Sequence, residues 1–230
     1  MNTSIPADAV LLNHIHNVLD NHALFSRRAW ELSSQGGVLH IKGCLTDPED
    51  QALLRELLSR VKGVRAVWDV LKIGGNEKPF VIDIGCGNKK QVPWAVGVDK
   101  YEGDGVDIVS DIEQGLPFQD NTADHIFAVH VLEHIRDLTR LMNEIHRVIK
   151  PRGSLHIIVP CVNTLNSIGD PTHVRYFNRK TLEFFCQLHK GMLPFKPYCL
   201  FEDPCSLFAD LTPVKDGRLA TEEELSYYFG

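Results

Sequence analysis

The chain has 230 residues, with a hydrophobic fraction of 43% and a formal net charge of -6. This length suits one large domain or two small ones, and the hydrophobic fraction is enough for a packed core. The acidic balance gives no reason to expect a nucleic-acid partner, because such partners favour basic surfaces. No apolar run is long enough to form a transmembrane segment, and the six cysteines are scattered without a Cys-x-x-Cys pair. We therefore expect a reduced, cytoplasmic protein.

The first part of the chain predicts a small α+β unit. Apolar residues recur at helical spacing over residues 8–21, and residues 27–44 predict two strands around a glycine-containing turn. A second helix follows, with Thr46 as its predicted N-cap and Glu49 as the partner in a capping box. Residues 64–73 predict a third strand.

This part of the chain contains the stretch GGVLHIKGCLTDPEDQALLRELLSRVKGVRAVWDVLKI. On that stretch, residues 8–73 resemble a BON domain, which implies a module that binds a phospholipid or another hydrophobic ligand. A small domain for docking to a protein partner or for oligomerisation explains the same pattern, and no polybasic patch for anionic lipid is visible. The polar, glycine-rich segment 74–79 predicts a linker. We therefore expect one domain over residues 1–75 and a second over residues 76–230.

The second domain is organised around a short apolar run, Phe80 to Ile84, that leads into Gly85-Cys-Gly87. Such a run is typical of a strand buried on both faces, and glycines let the chain turn tightly and let a ligand approach the backbone. Asp83 stands just before the turn, and Asp99 ends a second short strand. An acid at that place can accept two hydrogen bonds from a ribose diol. No third glycine opens a full helix, which argues against a dinucleotide.

Strand and helix signals alternate beyond Asp99, which predicts a mostly parallel sheet with helices on both faces. The short spacing before Asp99 leaves room for only a very short first crossover helix. The predicted elements are a strand before Asp111, a strand after Asp124, a helix over 138–149, a turn over 151–154, a strand over 155–160, a helix over 178–189, an antiparallel pair over 195–201 and 206–211, and a terminal helix or tail over 222–228.

The words VIDIGCGN, VGVD, SDIEQGLPFQDNTADHIFAVHVLEH and LMNEIHRVIKPRGSLHIIVP follow one another in this order. On them, residues from about 79 to 190 resemble the class I S-adenosylmethionine (SAM) dependent methyltransferases of the type 11 group. The resemblance implies a Rossmann-like sheet, SAM as cofactor, and methyl transfer to an unidentified acceptor, with a small or lipid-like molecule favoured over nucleic acid. A non-catalytic protein of this fold, acting as a ligand- or partner-binding module, is the alternative. The implied cofactor-binding residues are Asp83, Gly85, Cys86, Gly87, Asp99, Lys100, Asp111, Ile112 and His130.

The run His130-Val-Leu-Glu-His134 matches a metalloprotease pattern in which two histidines on one helix face bind zinc. Here His130 ends a predicted strand, so the two histidines are not expected to act as metal ligands, and we expect no metal. In the methyltransferase resemblance this run lines the cleft. His130 or Glu133 then contacts the methionine moiety or the acceptor, and His134 lies on the acceptor side.

Residues 161–177 lack periodicity and predict a long loop. Its second half, from Asp170 to Phe177, packs an acid, an imidazole, a guanidinium and two aromatic rings into eight residues. One interpretation is a loop held down by its own aromatic side chains. The other is a lid over the acceptor, with Asp170 in the acceptor site, His173 as general base and Arg175 as a clamp for a carboxylate or phosphate.

Cys161 follows the fifth predicted strand. It is either a catalytic nucleophile or an ordinary thiol near the cleft. Families that use such a nucleophile carry a Pro-Cys pair after the fourth strand, whereas this chain has His130-Val-Leu there. An Asn-Pro-Pro-Tyr signature is also absent from the sequence. Both observations disfavour methylation of nucleobases.

Overall fold

The computed structural model describes residues 8–75, 77–162 and 164–230. The chain divides into two compact units, the first ending at Pro79 and the second beginning at Phe80. This division falls at the end of the predicted linker, four residues after the predicted boundary. The first seven residues of the predicted first domain lie outside the described residues. Whether each unit folds by itself stays a prediction.

The first unit contains a three-stranded sheet with β2 (Val38–Lys42) at its centre, antiparallel to β1 (Glu31–Gln35) and parallel to β4 (Ala66–Asp69). Strands β3 (Cys44–Leu45) and β5 (Lys72–Ile73) form a separate parallel pair. One face of helix α1 is buried through Leu11, Ile15 and Leu19, as the helical spacing predicts. The BON-like identity of this unit stays a prediction. Its described elements are α1 (Asp8–Asp20), β1 (Glu31–Gln35), β2 (Val38–Lys42), β3 (Cys44–Leu45), α2 (Glu49–Ser59), β4 (Ala66–Asp69) and β5 (Lys72–Ile73).

Two local predictions for the first unit are wrong. Helix α2 has Pro48 at its N-cap position with no side-chain cap, because Asp47 Oδ1 accepts the N–H of Glu49 at 2.9 Å in place of the predicted capping box. The predicted third strand is broken into β4 and β5. A tight turn in which Leu71 N–H donates to Asp69 O at 2.8 Å redirects the chain between them.

The second unit contains a seven-stranded mixed sheet in the order β11-β12-β10-β9-β6-β7-β8. All neighbouring pairs are parallel except those of β12, which is antiparallel to β10 and β11. The predicted sheet with a closing antiparallel pair is confirmed. Its described elements are β6 (Val81–Ile84), β7 (Val96–Asp99), β8 (Ile108–Val109), β9 (Ala123–Val129), α3 (Leu138–Val148), β10 (Ile149–Pro160), α4 (Leu165–Ile168), α5 (Arg179–Phe184), β11 (Phe195–Glu202), β12 (Ser206–Pro213) and α6 (Glu222–Phe229), with 3₁₀ turns at Ile112–Gln114 and Leu132–His134.

The three longest helices of this unit share one core. Helices α3, α5 and α6 bury apolar residues in a cluster with Ile82, Ile126 and Ile157, which share one face of the sheet. The described links between β6, β7 and β8, residues 85–95 and 100–107, contain no helix. In a doubly wound sheet, crossover helices between such strands build the second helical layer. The predictions of helices on both faces and of a short first crossover helix are therefore wrong for this part of the chain.

Three predicted boundaries in the second unit also move. Strand β10 continues through the predicted turn, with Arg152 at a φ of 71° and a register shift between Ile149 and Ser154. Helix α5 ends at Phe184, well before the predicted end. The predicted loop 161–177 contains the short helix α4.

Candidate functional site

The candidate site lies at the carboxyl edge of the sheet in the second unit. Strands β6, β7 and β9 run parallel as neighbours, so the segments that follow them meet at one edge. The turn Gly85–Gly87 follows β6, Asp99 ends β7, and His130 follows β9. Polar groups that are distant in sequence are thereby brought together.

Both glycines of the turn have a left-handed backbone, with φ of 66° at Gly85 and 53° at Gly87. Glycine adopts this conformation without steric cost. A Cβ atom at Gly85 would lie 2.4 Å from Val131 Cγ2, so no side chain fits there. The turn therefore packs directly against the residue that follows His130.

Asp99 accepts two backbone hydrogen bonds, from Gly87 N–H to Oδ2 at 2.9 Å and from Tyr101 N–H to Oδ1 at 3.1 Å. The residue is half-buried. Each carboxylate oxygen can accept a second hydrogen bond. Asp99 thus orders the glycine turn and keeps acceptor capacity for a ligand with hydroxyl groups.

Asp83 is 1% exposed, and its Oδ2 accepts the N–H of Gln91 at 2.6 Å. Burial raises the pKa of Asp83 to about 7, against the opposing effects of the Gln91 hydrogen bond and the Lys90 charge. Perturbed pKa values of this kind cluster at functional sites.

The Asp111 side chain caps a 3₁₀ turn by accepting the N–H of Glu113 at 3.2 Å. Its other oxygen lies 3.4 Å from Lys100 Nζ. Ile112 belongs to the hydrophobic core cluster. The roles of these three residues in binding a cofactor stay predictions.

The two thiols near the site are poor nucleophiles. The Cys86 thiol donates to Gly105 O at 3.3 Å, and burial, with Asp83 and Asp99 adding to it, raises the pKa of Cys86 to about 11. Burial and the neighbouring Glu202 likewise raise the pKa of Cys161 to about 11. Since the thiolate is the reactive species, the structure supports the interpretation of Cys161 as an ordinary thiol.

A cavity of about 690 Å³ opens beyond His130. This volume lies within the usual range of sites for small molecules. The cavity brings together four of the residues predicted for the acceptor side and adds Ser206, which the sequence did not single out. Its polar lining includes His130, Glu133, His134, Asp170, His173 and Ser206.

Glu133 is a buried acid on the wall of this cavity, with 1% exposure. Its Oε1 lies 3.5 Å from His130 Nδ1, whereas its Oε2 has no hydrogen-bond partner among the described residues. Its backbone carbonyl accepts the N–H groups of Val174 and Arg175, at 2.9 and 3.1 Å. The backbone of Glu133 therefore holds the loop 161–177 in place, while one oxygen of its carboxylate has no hydrogen-bond partner among the described residues.

The imidazoles of His134 and His173 pack edge to face, with ring centroids 4.8 Å apart. His173 Nδ1 lies 2.7 Å from Ser167 O, and its Nε2 lies 3.8 Å from Asp170 Oδ2. His134 Nδ1 lies 3.0 Å from Thr172 Oγ1. The His173 side chain is only 7% exposed, although the residue belongs to the lining of the cavity.

The loop is tied down at several points. Val162 N–H donates to Phe177 O at 2.7 Å, and the Arg175 guanidinium donates from Nε to Ile135 O at 2.7 Å and from Nη2 to Arg136 O. Hydrogen bonds from Thr172 lower the pKa of Asp170. Arg175 thus has structural partners, and its role as a substrate clamp stays a prediction.

Sequence reasoning missed Ser167 and Thr172, which orient the two histidines. A signal for Ser167 is present, since Thr164 caps α4 by accepting the N–H of Ser167 at 3.1 Å. The sequence Thr164-Leu-Asn-Ser167 is a recognisable helix start. Ser206 could not be found locally, because only the pairing of β12 with β10 brings it to the site.

Comparison with known proteins finds a family match over the centre of the second unit. Residues 82–157 match the family model of a methyltransferase domain. Together with the α/β fold and its central mixed sheet, this match supports a methyltransferase domain here. It also bears out the coarse prediction made from the sequence.

Two curated proteins are similar to parts of this chain. A sterol 4-C-methyltransferase of Caenorhabditis elegans is 32% identical over 95 residues, which are 40% of this chain and 28% of that protein. A protein of Methanocaldococcus jannaschii is 46% identical over 44 residues, 19% of each chain. The chain therefore spans less than a third of the curated relatives that it matches.

Among solved structures, a SAM-dependent methyltransferase from Aquifex aeolicus is 18% identical with a TM-score of 0.44, covering 57% of this chain and 81% of that one. Another from Archaeoglobus fulgidus is 24% identical with a TM-score of 0.40, covering 46% and 57%. Separately, none of the described helices is both long and apolar enough to cross a membrane.

Proposed function

We propose that the second unit is a class I methyltransferase domain that binds SAM and transfers its methyl group to an acceptor in the cavity beyond His130. The observation that carries this proposal is the Asp99 carboxylate, held against Gly87 N–H at the carboxyl ends of adjacent parallel strands. The family match over residues 82–157 supports it. When bound, SAM supplies an electrophilic methyl group on a sulfonium.

Most of the predicted cofactor residues have a role in this proposal. Asp99 would accept hydrogen bonds from the ribose hydroxyls, while the glycine turn lets the ligand approach the backbone. Asp111 and Ile112 would bind the adenine, with Lys100 beside them. His130 would contact the methionine moiety. Asp83 adds negative charge below the turn when it is ionised, which favours a cationic cofactor.

The acceptor proposed here is a small or lipid-like molecule. The cavity combines acids and imidazoles with apolar residues such as Leu165, which suits a molecule with one polar reacting group and an apolar remainder. The similarity to a sterol methyltransferase over 95 residues supports the same class. For the first unit we propose a docking role, toward a hydrophobic or phospholipid ligand or a protein partner. Six free cysteines favour a reducing compartment, and the cytoplasm is the proposed location.

The test is turnover rather than binding alone. The protein is incubated with SAM and a panel of sterols, fatty acids, phospholipids and small hydroxylated molecules, and S-adenosylhomocysteine is measured. Molecules that co-purify with the protein are identified by mass spectrometry and added to the panel. Acceptor-dependent S-adenosylhomocysteine confirms the proposal. Binding of SAM without turnover on any of these acceptors, including the co-purified ones, favours the non-catalytic alternative.

A further inference from the structure

Three side chains of the cavity converge on one point. Glu133, His134 and His173 each offer one ligand atom, and these atoms all lie within 4.8 Å of one another. Ligand atoms at about 2.0–2.1 Å from a divalent ion lie roughly 3–4 Å apart. The three atoms are therefore close to the spacing that a single ion would require.

The two imidazoles are oriented for this purpose by groups outside the cluster. His173 Nδ1 lies 2.7 Å from Ser167 O, so it carries the proton, and Nε2 is left to act as a ligand because Asp170 Oδ2, at 3.8 Å, is beyond hydrogen-bond distance. His134 Nδ1 is held by Thr172, at 3.0 Å from Oγ1 and 3.3 Å from the carbonyl oxygen. A hydrogen bond on one ring nitrogen that leaves the other free is the usual support of a metal-binding histidine.

Glu133 supplies an independent observation. Its side chain is 1% exposed, yet Oε2 has no hydrogen-bond partner among the described residues. A buried carboxylate oxygen without a partner is costly, and such atoms in folded proteins are normally paired. A cation in the cavity would satisfy it.

We propose that Glu133, His134 and His173 bind one divalent transition-metal ion of the Zn²⁺ class. Two neutral imidazoles and one carboxylate suit such an ion and leave coordination positions open to the cavity, whereas Mg²⁺ prefers oxygen ligands throughout. From the sequence alone we expect no metal, because His130 ends a predicted strand and is not positioned to bind an ion together with His134. The loop supplies His173 in place of His130.

The proposed ion would activate the acceptor for methyl transfer. This role rests on the function proposed above. An acceptor hydroxyl bound at an open position would have a lowered pKa, as metal-bound water does. Its O–H bond would break, with the proton passing to water in the cavity. The oxygen would then form a bond to the methyl carbon of SAM while the carbon–sulfur bond breaks, leaving neutral S-adenosylhomocysteine. His173 Nε2 is then a metal ligand and is not the general base predicted from the sequence.

The experiment uses the full chain, stripped of metal by a chelator and dialysed. ZnCl₂, MnCl₂ and MgCl₂ are each titrated alone by calorimetry. We expect one equivalent of Zn²⁺ to bind, with Mg²⁺ much weaker. Glu133→Gln and His173→Gln are expected to lose at least about 100-fold in Zn²⁺ affinity. His16→Asn, which removes an exposed imidazole outside the cavity, is expected to bind like wild type.

Circular dichroism establishes that each variant is folded, and two separate ligand variants guard against one that is not. Absence of stoichiometric Zn²⁺ binding by the wild type overturns the proposal, as does wild-type Zn²⁺ affinity in both folded ligand variants. A SAM titration on the same metal-free protein separates the two proposals. If the protein binds SAM but not Zn²⁺, only the metal-site proposal is overturned. If it binds Zn²⁺ but not SAM, only the methyltransferase proposal is overturned.

Discussion

Gly87 N–H donates a hydrogen bond to Asp99 Oδ2 at 2.9 Å, which joins the turn after β6 to the end of β7. The bond fixes the carboxylate at the end of β7, where the proposed ribose contact would be made. It also makes the glycine turn depend on a side chain from the neighbouring strand. We therefore expect substitutions at this edge of the sheet to change both the stability of the protein and the proposed binding of SAM.

Substitution of the two glycines of the turn is expected to lower the unfolding free energy by different amounts. Both have positive φ, so alanine at either position costs about 1 kcal/mol through backbone strain. A Cβ at Gly87 meets nothing within 4 Å, whereas a Cβ at Gly85 would lie 2.4 Å from Val131 Cγ2. Gly85→Ala is expected to lose a further 1–3 kcal/mol or so from overpacking. Urea unfolding of both variants measures the difference, and equal losses would show that the Val131 contact is unimportant.

Asp83 predicts a pH dependence of stability. Its pKa is about 7 in the folded protein, against an ordinary value of 3.8. Between these values the folded state binds more protons than the unfolded state, so this group's contribution to the unfolding free energy falls as pH rises from about 4 to 7 and is constant above that. Asp83→Asn keeps an acceptor for Gln91 N–H and removes the titration. The unfolding free energy of the variant minus that of the wild type is therefore expected to be larger at pH 8 than at pH 5.

Urea unfolding of wild type and Asp83→Asn at the two pH values checks this expectation. The quantity of interest is the difference between the two proteins at each pH, since other titrating groups are common to both. A difference that is the same at pH 5 and pH 8 would mean that Asp83 keeps an ordinary pKa in the folded protein.

Arg175 predicts a structural effect alongside the clamp role expected from sequence. Its guanidinium donates to the carbonyl oxygens of Ile135 and Arg136. Arg175→Ala is expected to lower the unfolding free energy by about 1–2 kcal/mol, because two hydrogen bonds from a charged group are lost. Arg136→Ala, at an exposed position next to the same segment, is the matched control. If Arg175→Ala raises the KM for acceptor without any loss of stability, Arg175 acts as the clamp alone.

The separability of the two units is also testable. Residues 77–230 hold all the proposed cofactor residues, and the division of the chain lies at Pro79. Expressed alone, this segment is expected to give a cooperative unfolding transition and to bind SAM with the affinity of the full chain. An insoluble product, or a folded one that fails to bind, would show that the first unit belongs to the methyltransferase core.

The sheet edge could be predicted from sequence because its signals are local. An apolar run, a glycine turn and a terminal acid stand within about twenty residues, and parallel strands bring their ends together. The one-sided packing of helices could not be predicted this way, since short links such as 100–107 read equally well as loops or as short helices. The cluster of His134 and His173 depends on how a distant loop returns to the site. Asp47 replaced Thr46 at the start of α2 because two nearby polar side chains compete for the same N–H groups.

The most direct test of the account is a calorimetric titration of SAM into the wild type, Asp99→Ala and Glu102→Ala. Glu102 is an exposed acid in the loop after β7 and controls for the loss of one negative charge. We expect one SAM per chain for the wild type, a loss of about 1–3 kcal/mol in binding free energy for Asp99→Ala, and an unchanged affinity for Glu102→Ala. Failure of the wild type to bind SAM, or equal affinity in a folded Asp99→Ala variant, would contradict the assignment of this site.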